Sequence, residues 1–283
     1  MAILELARGD LRLVLDPDLG GAVLSFRKGD VDLLRPTRAG EGDVLETACF
    51  ALVPYANRIA DGRFRWGGRT AALPQNMEGQ AHPLHGDGWR GAWTVDGRDE
   101  ASAILEFVPA QSAWPWRYRA VQSVHLSAQG LNLALSVTNL DDTAGPFGLG
   151  FHPYFPNAAT ARMTTAAAGL WETSDDLLPV REVPAPDWDD RPVRSDTLLD
   201  HCHTGWSREA VISLAPEMPR LRLTASKALG WLHVYAPPDE DFFCVEPVSH
   251  APNGVNMANP AAHGVWTLGP GETAVGWMRL DLV

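Results

Sequence analysis

Between residues 121 and 138 apolar side chains recur at every second position, and that spacing narrows the fold more than any other feature. Leu131, Leu133, Leu135 and Val137 alternate with Asn132, Ala134, Ser136 and Thr138. A period of two sends successive side chains to opposite faces of a pleated strand, and the apolar face must be covered. Val121–Leu126 is a second such run, and Ala128-Gln129-Gly130 supplies a turn between the two, so the segment predicts a hairpin. Short runs of the same kind occur at Leu11–Leu15, Ala22–Phe26, Ile104–Phe107, Val211–Leu214, Leu221–Leu223, Trp231–Tyr235, Phe242–Val245 and Val275–Leu282. Asp18-Leu19-Gly20-Gly21, Gly67-Gly68, Asp96-Gly97 and Gly254 separate them, and 22 Pro with 26 Gly suit many turns and few helices. No stretch carries a persuasive amphipathic helix. Val180–Arg194 is rich in Pro and Asp and is expected to be a loop. No internal repeat, low-complexity tract or clear linker divides the chain. The expectation is all-β, with residues 1–283 forming a single domain.

Composition restricts the partners. The formal net charge is −12 and the isoelectric point is near 5.1. Phosphate backbones and anionic lipid call for a basic patch, so this balance argues against nucleic acid and membrane and suits a neutral small molecule. Cys49, Cys202 and Cys244 are odd in number and have no paired spacing. They make neither a disulfide framework nor a zinc ribbon, and they fit a reducing compartment. Glu5, Arg8 and Asp10 interrupt any apolar signal-peptide region, and no run is long enough to span a bilayer. A soluble cytoplasmic protein is expected.

Two residues stand out chemically. His152 lies in Phe151-His152-Pro153-Tyr154-Phe155, and Glu246 in Cys244-Val245-Glu246-Pro247. A histidine boxed by aromatics and a carboxylate in an apolar strand are costly to bury unless used. Together they are a proton donor and a proton acceptor that titrate apart, the minimum for moving protons on and off a neutral substrate. Plainer readings exist for each. His152 suits a core histidine bonded to a carbonyl, and Glu246 an edge-strand charge facing water. His82, His85, His201 and His203 invite a zinc reading, but no Cys or Glu accompanies them at the usual spacing and nine His are no enrichment. No metal is expected.

Five segments set polar residues among glycines and aromatics. They are Asn57-Arg58-Ile59-Ala60-Asp61-Gly62-Arg63-Phe64, His82-Pro83-Leu84-His85-Gly86-Asp87-Gly88-Trp89, Gly148 to Phe155, Leu198-Leu199-Asp200-His201, and Phe243 to Pro247 followed by Asn253 and Asn256. In this order and spacing they resemble the aldose 1-epimerase, or galactose mutarotase, family over most of the chain. The resemblance implies a large antiparallel β-sandwich, a supersandwich, and no cofactor. It implies that His152 protonates the ring oxygen of a sugar and that Glu246 takes the proton of the anomeric hydroxyl. It places His85, Arg58 and Asp200 on the sugar's hydroxyls, with Asn57 supporting Arg58. His233 stands where several relatives carry a glutamine, so sugar preference does not transfer. The partner implied is a free monosaccharide, and the assembly a monomer or homodimer. Trp89, Trp93 and Trp231 are expected in the core or pocket wall, one of them available to stack on a sugar face.

Without the resemblance, Arg58 near Arg63 and Arg65 suits a surface ion pair, His85 a cap on the Gly86 turn, and Asp200 a solvated loop. Two rival functions remain open. A hexose-6-phosphate 1-epimerase on the same fold needs basic residues at the pocket mouth. Asp87 beside His85 argues against it, and Arg90 argues for it. A non-catalytic carbohydrate-binding sandwich would have no use for an acid and a base together.

Overall fold

The computed structural model describes residues 3–283. The predicted hairpin forms: Tyr118–Leu126 pairs antiparallel with Gly130–Asn139, and Thr273–Leu282 pairs with the other edge of Gly130–Asn139. Leu131, Leu133, Leu135 and Val137 are all buried, while the residues between them are half-exposed. The period of two is thus the inside and outside of a sheet. These strands sit within a nine-stranded sheet.

An eleven-stranded sheet faces it. Across its middle run Ala22–Lys28, Cys49–Leu52, Gly150–Pro156, Phe242–Val248, Trp231–Ala236 and Leu199–Thr204, neighbours in that order. The inner faces of both sheets share one apolar cluster, in which Leu133 and Leu135 join Phe151, Phe155, Val234 and Val245. Burying each such side chain is worth about 1.5–3 kcal/mol, which makes this cluster the main bond between the layers. The architecture is the expected large antiparallel β-sandwich.

Gly150–Phe155 breaks the alternation, since every residue in it is buried. Its second face is roofed by the chain between residues 53 and 93, where Phe50, Ala56, Trp89, Tyr154, Cys244 and Val248 make a separate apolar cluster. A strand covered on both faces has no polar side to show. Gly86 fixes the roof in place. Its φ is +73°, and a Cβ there would lie 2.4 Å from both Pro54 Cδ and the Val53 carbonyl oxygen, so only glycine lets the chain cross at this point.

The structure corrects three expectations. Val180–Arg194 is not a loop: Pro179–Pro184 pairs with Gly169–Thr173, and Trp188–Pro192 pairs with Arg162–Thr165. Each lies at the edge of its sheet, where proline costs no ladder bond and charge discourages further pairing. Asp96-Gly97 is not a turn between strands but a register shift inside the edge strand Thr94–Arg98. Gly254 opens a single 3-10 turn, Gly254–Asn256. Among the described residues no helix is long and apolar enough to cross a membrane.

Candidate active site

The polar residues that the sequence singled out meet on the face of the eleven-stranded sheet turned away from the shared core. Strand register puts them there. Cys202 pairs with His233, and His233 with Glu246. The pairs Gly150–Val248 and Tyr154–Cys244 put His152 opposite Glu246, and His152 in turn pairs with Phe50. One row across five strands therefore runs Cys202, His233, Glu246, His152, Phe50. A parallel row, two residues along, runs Asp200, Tyr235, Cys244, Tyr154. The intervening Val234, Val245 and Phe151 point into the core. A period of two thus assembles one surface from segments about a hundred residues apart.

The roof contributes the rest. Asn57 and His85 both have positive φ, 59° and 61°, uncommon for non-glycine residues but best tolerated by types such as Asn and His. They lock each other: Asn57 N–H donates to His85 Nδ1 and His85 N–H donates to the Asn57 carbonyl, each at 3.0 Å. Nδ1 is therefore the acceptor, and burial keeps the ring neutral, its pKa well below the ordinary value, so Nε2–H remains as a donor. Asn57 Oδ1 accepts from Arg58 N–H at 2.8 Å and from Nη1 at 3.4 Å.

Arg58, Asp200 and His233 form one buried network. Arg58 Nη2 donates to Asp200 Oδ2 at 3.2 Å and to Gln80 Oε1 at 3.0 Å, and His233 Nε2 lies 2.6 Å from Asp200 Oδ1. Burial works against both charges of the last pair. It is outweighed by the hydrogen bond and charge of His233 with help from Arg58, which hold Asp200 down to about 2. Burial likewise opposes the His233 imidazolium, and Glu246 and Asp200 overcome it, raising His233 to about 10. Beside this charged network the second pair is close to neutral. Burial pushes Glu246 up to about 7, with His233 and Arg58 pulling the other way. Burial and the His233 charge push His152 down to about 3, so the resting histidine is not the imidazolium that the sequence suggested. His152 Nε2 lies 3.5 Å from Glu246 Oε1. The imidazole packs beside Phe50 and Tyr154, each ring centre 4.7 Å from its own and the two 6.0 Å from each other, and the Arg35 guanidinium lies 3.9 Å over Tyr154.

All seven residues expected at a site, Asn57, Arg58, His85, His152, Asp200, His233 and Glu246, line one cavity of about 170 Å³. That is smaller than the roughly 300–1,000 Å³ of drug-sized pockets and suits a single small polar molecule. Sequence reasoning missed Arg35, Met77, Gln80, Tyr154, Tyr235 and Phe242 in its walls. Tyr154 and Tyr235 were recoverable, because they share strand parity with His152 and His233. Arg35, Met77 and Gln80 sit in irregular loops, where no period betrays direction. Trp89 and Trp93 are core residues whose indoles donate to the Gly86 and Gly88 carbonyls.

Other candidates fall outside the cavity. His82 accepts from Asp61 N–H and reaches Asp176 at 3.1 Å, tying the roof to a neighbouring hairpin. Asp87, expected beside His85, turns away instead and accepts from Ser112 Oγ at 2.5 Å and Tyr118 OH at 3.2 Å. Arg90 lies over the Trp89 ring at 4.3 Å. His203 is spent on the Trp188 indole and the Leu232 carbonyl.

Known proteins share this sequence pattern and fold. A family model described as Aldose 1-epimerase matches residues 3–281. The uncharacterised protein YphB of Escherichia coli K12 is 33% identical over 99% of this chain and 98% of its own length. A crystal structure from E. coli K12, solved as a candidate aldose 1-epimerase, is 32% identical, with a TM-score of 0.92 over 100% of this chain and 99% of that one. A galactose mutarotase-like protein from Clostridium acetobutylicum shares the fold at 22% identity, with a TM-score of 0.88 over 99% of this chain and 95% of that one. The match covers the strands and the roof alike, and the chain belongs to the aldose 1-epimerase family.

Proposed function

We propose that this protein interconverts the α and β anomers of a free aldose, with no cofactor. The observation that carries the reading is the buried His152–Glu246 pair, 3.5 Å apart and set beside the Arg58–Asp200–His233 network in one small cavity. Titratable groups whose surroundings drive their pKa values apart are the mark of an acid–base site. The pair holds one proton between its members. An anomeric hydroxyl donating to Glu246 favours the carboxylate, and the proton passes to His152. Glu246 then takes the hydroxyl proton while His152 gives its own to the ring oxygen. The bond from C1 to the ring oxygen breaks and the anomeric oxygen becomes the aldehyde carbonyl. Rotation about C1–C2 and the reverse transfers close the ring on the other face. No net charge builds on the sugar at any point.

Rotation needs the aldehyde end loose and the distal hydroxyls held. Arg58 and the His85 Nε2–H supply donors, and the Asp200 oxygens keep lone pairs beyond those already used. These contacts serve ground and transition states alike, so Arg58→Lys is expected to raise KM more than it lowers kcat, because the ammonium lacks the fork whose Nη1 reaches Asn57 while Nη2 reaches Asp200 and Gln80. Steady-state anomer kinetics check it; a collapse of kcat at unchanged KM would move Arg58 into the chemistry.

A free sugar is favoured over its 6-phosphate, for reasons that no longer include Asp87. Both arginines at the cavity are already spoken for, and the His233 imidazolium is bound to Asp200. Arg58 serves Asp200, Gln80 and Asn57, while Arg35 donates to the Leu45 and Thr47 carbonyls and lies 3.9 Å from Glu46. The outer shelf that shares Arg35 and Glu46 with the cavity sets Asp239, Glu240 and Asp241 against one further cation, Arg38. A phosphate carries close to two charges and needs free Arg or Lys donors to replace its water. Progress curves for galactose and glucose, each with and without the 6-phosphate, are expected to give the higher kcat/KM for the free sugar. Preference for the phosphorylated member in both pairs would overturn the free-aldose reading and leave the acid–base pair standing.

A further inference from the structure

We propose that His152, Cys244 and Glu246 form a binding site for a soft divalent cation such as zinc(II) or cobalt(II), and that a bound ion excludes the sugar. One ligand atom from each, an imidazole nitrogen, a sulfur and a carboxylate oxygen, lie within 4.8 Å of one another, and all three residues are buried. These are the three side-chain types that zinc takes, at metal–ligand distances of about 2.0–2.3 Å. Tetrahedral ligands at such distances sit roughly 3.3–3.8 Å apart, so closing the set around an ion needs about 1 Å of contraction.

The frame favours that closure. Cys244 and Glu246 are two residues apart on Phe242–Val248 and share a face, while His152 comes from the hydrogen-bonded neighbour Gly150–Pro156. Phe50 and Tyr154 pack beside the imidazole. His152 Nε2 lies 3.5 Å from Glu246 Oε1, and His152 Nδ1 is buried with no hydrogen-bond partner. Entry is through the sugar cavity, whose wall includes His152 and Glu246, with Cys244 in the layer behind. On binding, the Cys244 thiol gives its proton to solvent, the His152–Glu246 pair gives up the one it holds, and Glu246 ligates as the carboxylate beside a neutral His152. Bonds form from the ion to sulfur, nitrogen and oxygen, and water from the cavity completes the fourth position. Nothing is oxidised or reduced.

Ion binding stands apart from the mutarotase reading; only exclusion of the sugar rests on it. The test is titration of the chelator-treated full chain with cobalt(II), read by its thiolate-to-cobalt charge-transfer band and its visible four-coordinate bands. One ion per chain is expected, displaced by zinc(II). Cys244→Ser should lose the charge-transfer band and weaken binding by more than the roughly 10–100-fold that loss of a group outside the ligand set costs. Cys202→Ser, on the row through His233, should keep the band. On the unmodified protein, which needs no variant to fold, a saturating aldose substrate should suppress the band. No band at millimolar cobalt, a band unchanged in Cys244→Ser, or a band indifferent to a sugar that the protein turns over would each overturn the proposal. A Cys244-dependent band in a protein that turns over no aldose would keep the ion site and sink the mutarotase reading.

Discussion

Glu246→Gln is expected to slow anomer interconversion at least about 100-fold, within the 10²–10⁴-fold typical of losing a positioned general acid or base. The amide keeps the volume of the carboxyl but cannot accept a proton. His152→Ala should fall in the same range. The double variant should lose far less than the product of the two, because both groups serve one step. The loss belongs in kcat, since neither group is the sugar's main hold. The fold should survive Glu246→Gln, because a neutral side chain replaces a carboxyl that burial already drives toward the neutral form. Kinetics paired with a thermal melt check both halves. Near-native turnover in Glu246→Gln would place the base elsewhere.

Asp200→Ala should be the most destabilising single change at the site. It leaves Arg58 and the His233 imidazolium buried together with no anion between them. Breaking a buried pair by removing one partner costs about 3–5 kcal/mol. In a chain of this size that lowers the thermal midpoint by roughly 5–8 °C. The pH dependence has a definite sign. His233 is raised from 6.5 to about 10 in the folded protein, so its contribution is complete below 6.5 and disappears as pH rises through 10. Asp200 is lowered from 3.8 to about 2, so its contribution is complete above 3.8 and disappears as pH falls through 2. The stability gap between native protein and Asp200→Ala should therefore be widest between about pH 4 and 6.5 and narrow on either side. Denaturant melts across that range measure it; a gap independent of pH would mean that the network is not charged as described.

Much of this was legible because strands carry direction. Leu131 to Val137 announced one sheet, and the alternation along Trp231–Tyr235 sets His233 opposite Leu232 and Val234, whereas the all-apolar run Phe242–Val245 gives Glu246 no face. Gly150–Phe155 hid its parity, since both of its faces are covered and no polar side marks the outside. Loops carried less information. Nothing in the run around Asp87 tells that its carboxylate turns toward Ser112 and Tyr118 rather than the cavity. Nothing around Arg35 tells that it stacks on Tyr154, because both depend on contacts with distant segments. The edge strands Pro179–Pro184 and Trp188–Pro192 were hidden by the same prolines and charges that protect an edge. Protonation was the least legible. The same His152 that looks like an acid in sequence is held neutral by burial and by a second histidine eighty-one positions away.

The most direct test is exchange NMR between the α and β anomeric resonances of free aldoses, run with native protein and with Glu246→Gln. The predicted result is that at least one free aldose shows saturation transfer well above its spontaneous rate with native protein and almost none with the variant. Transfer equal in the two, or absent with native protein across hexoses, pentoses and deoxy sugars, would contradict an acid–base mutarotase built on Glu246.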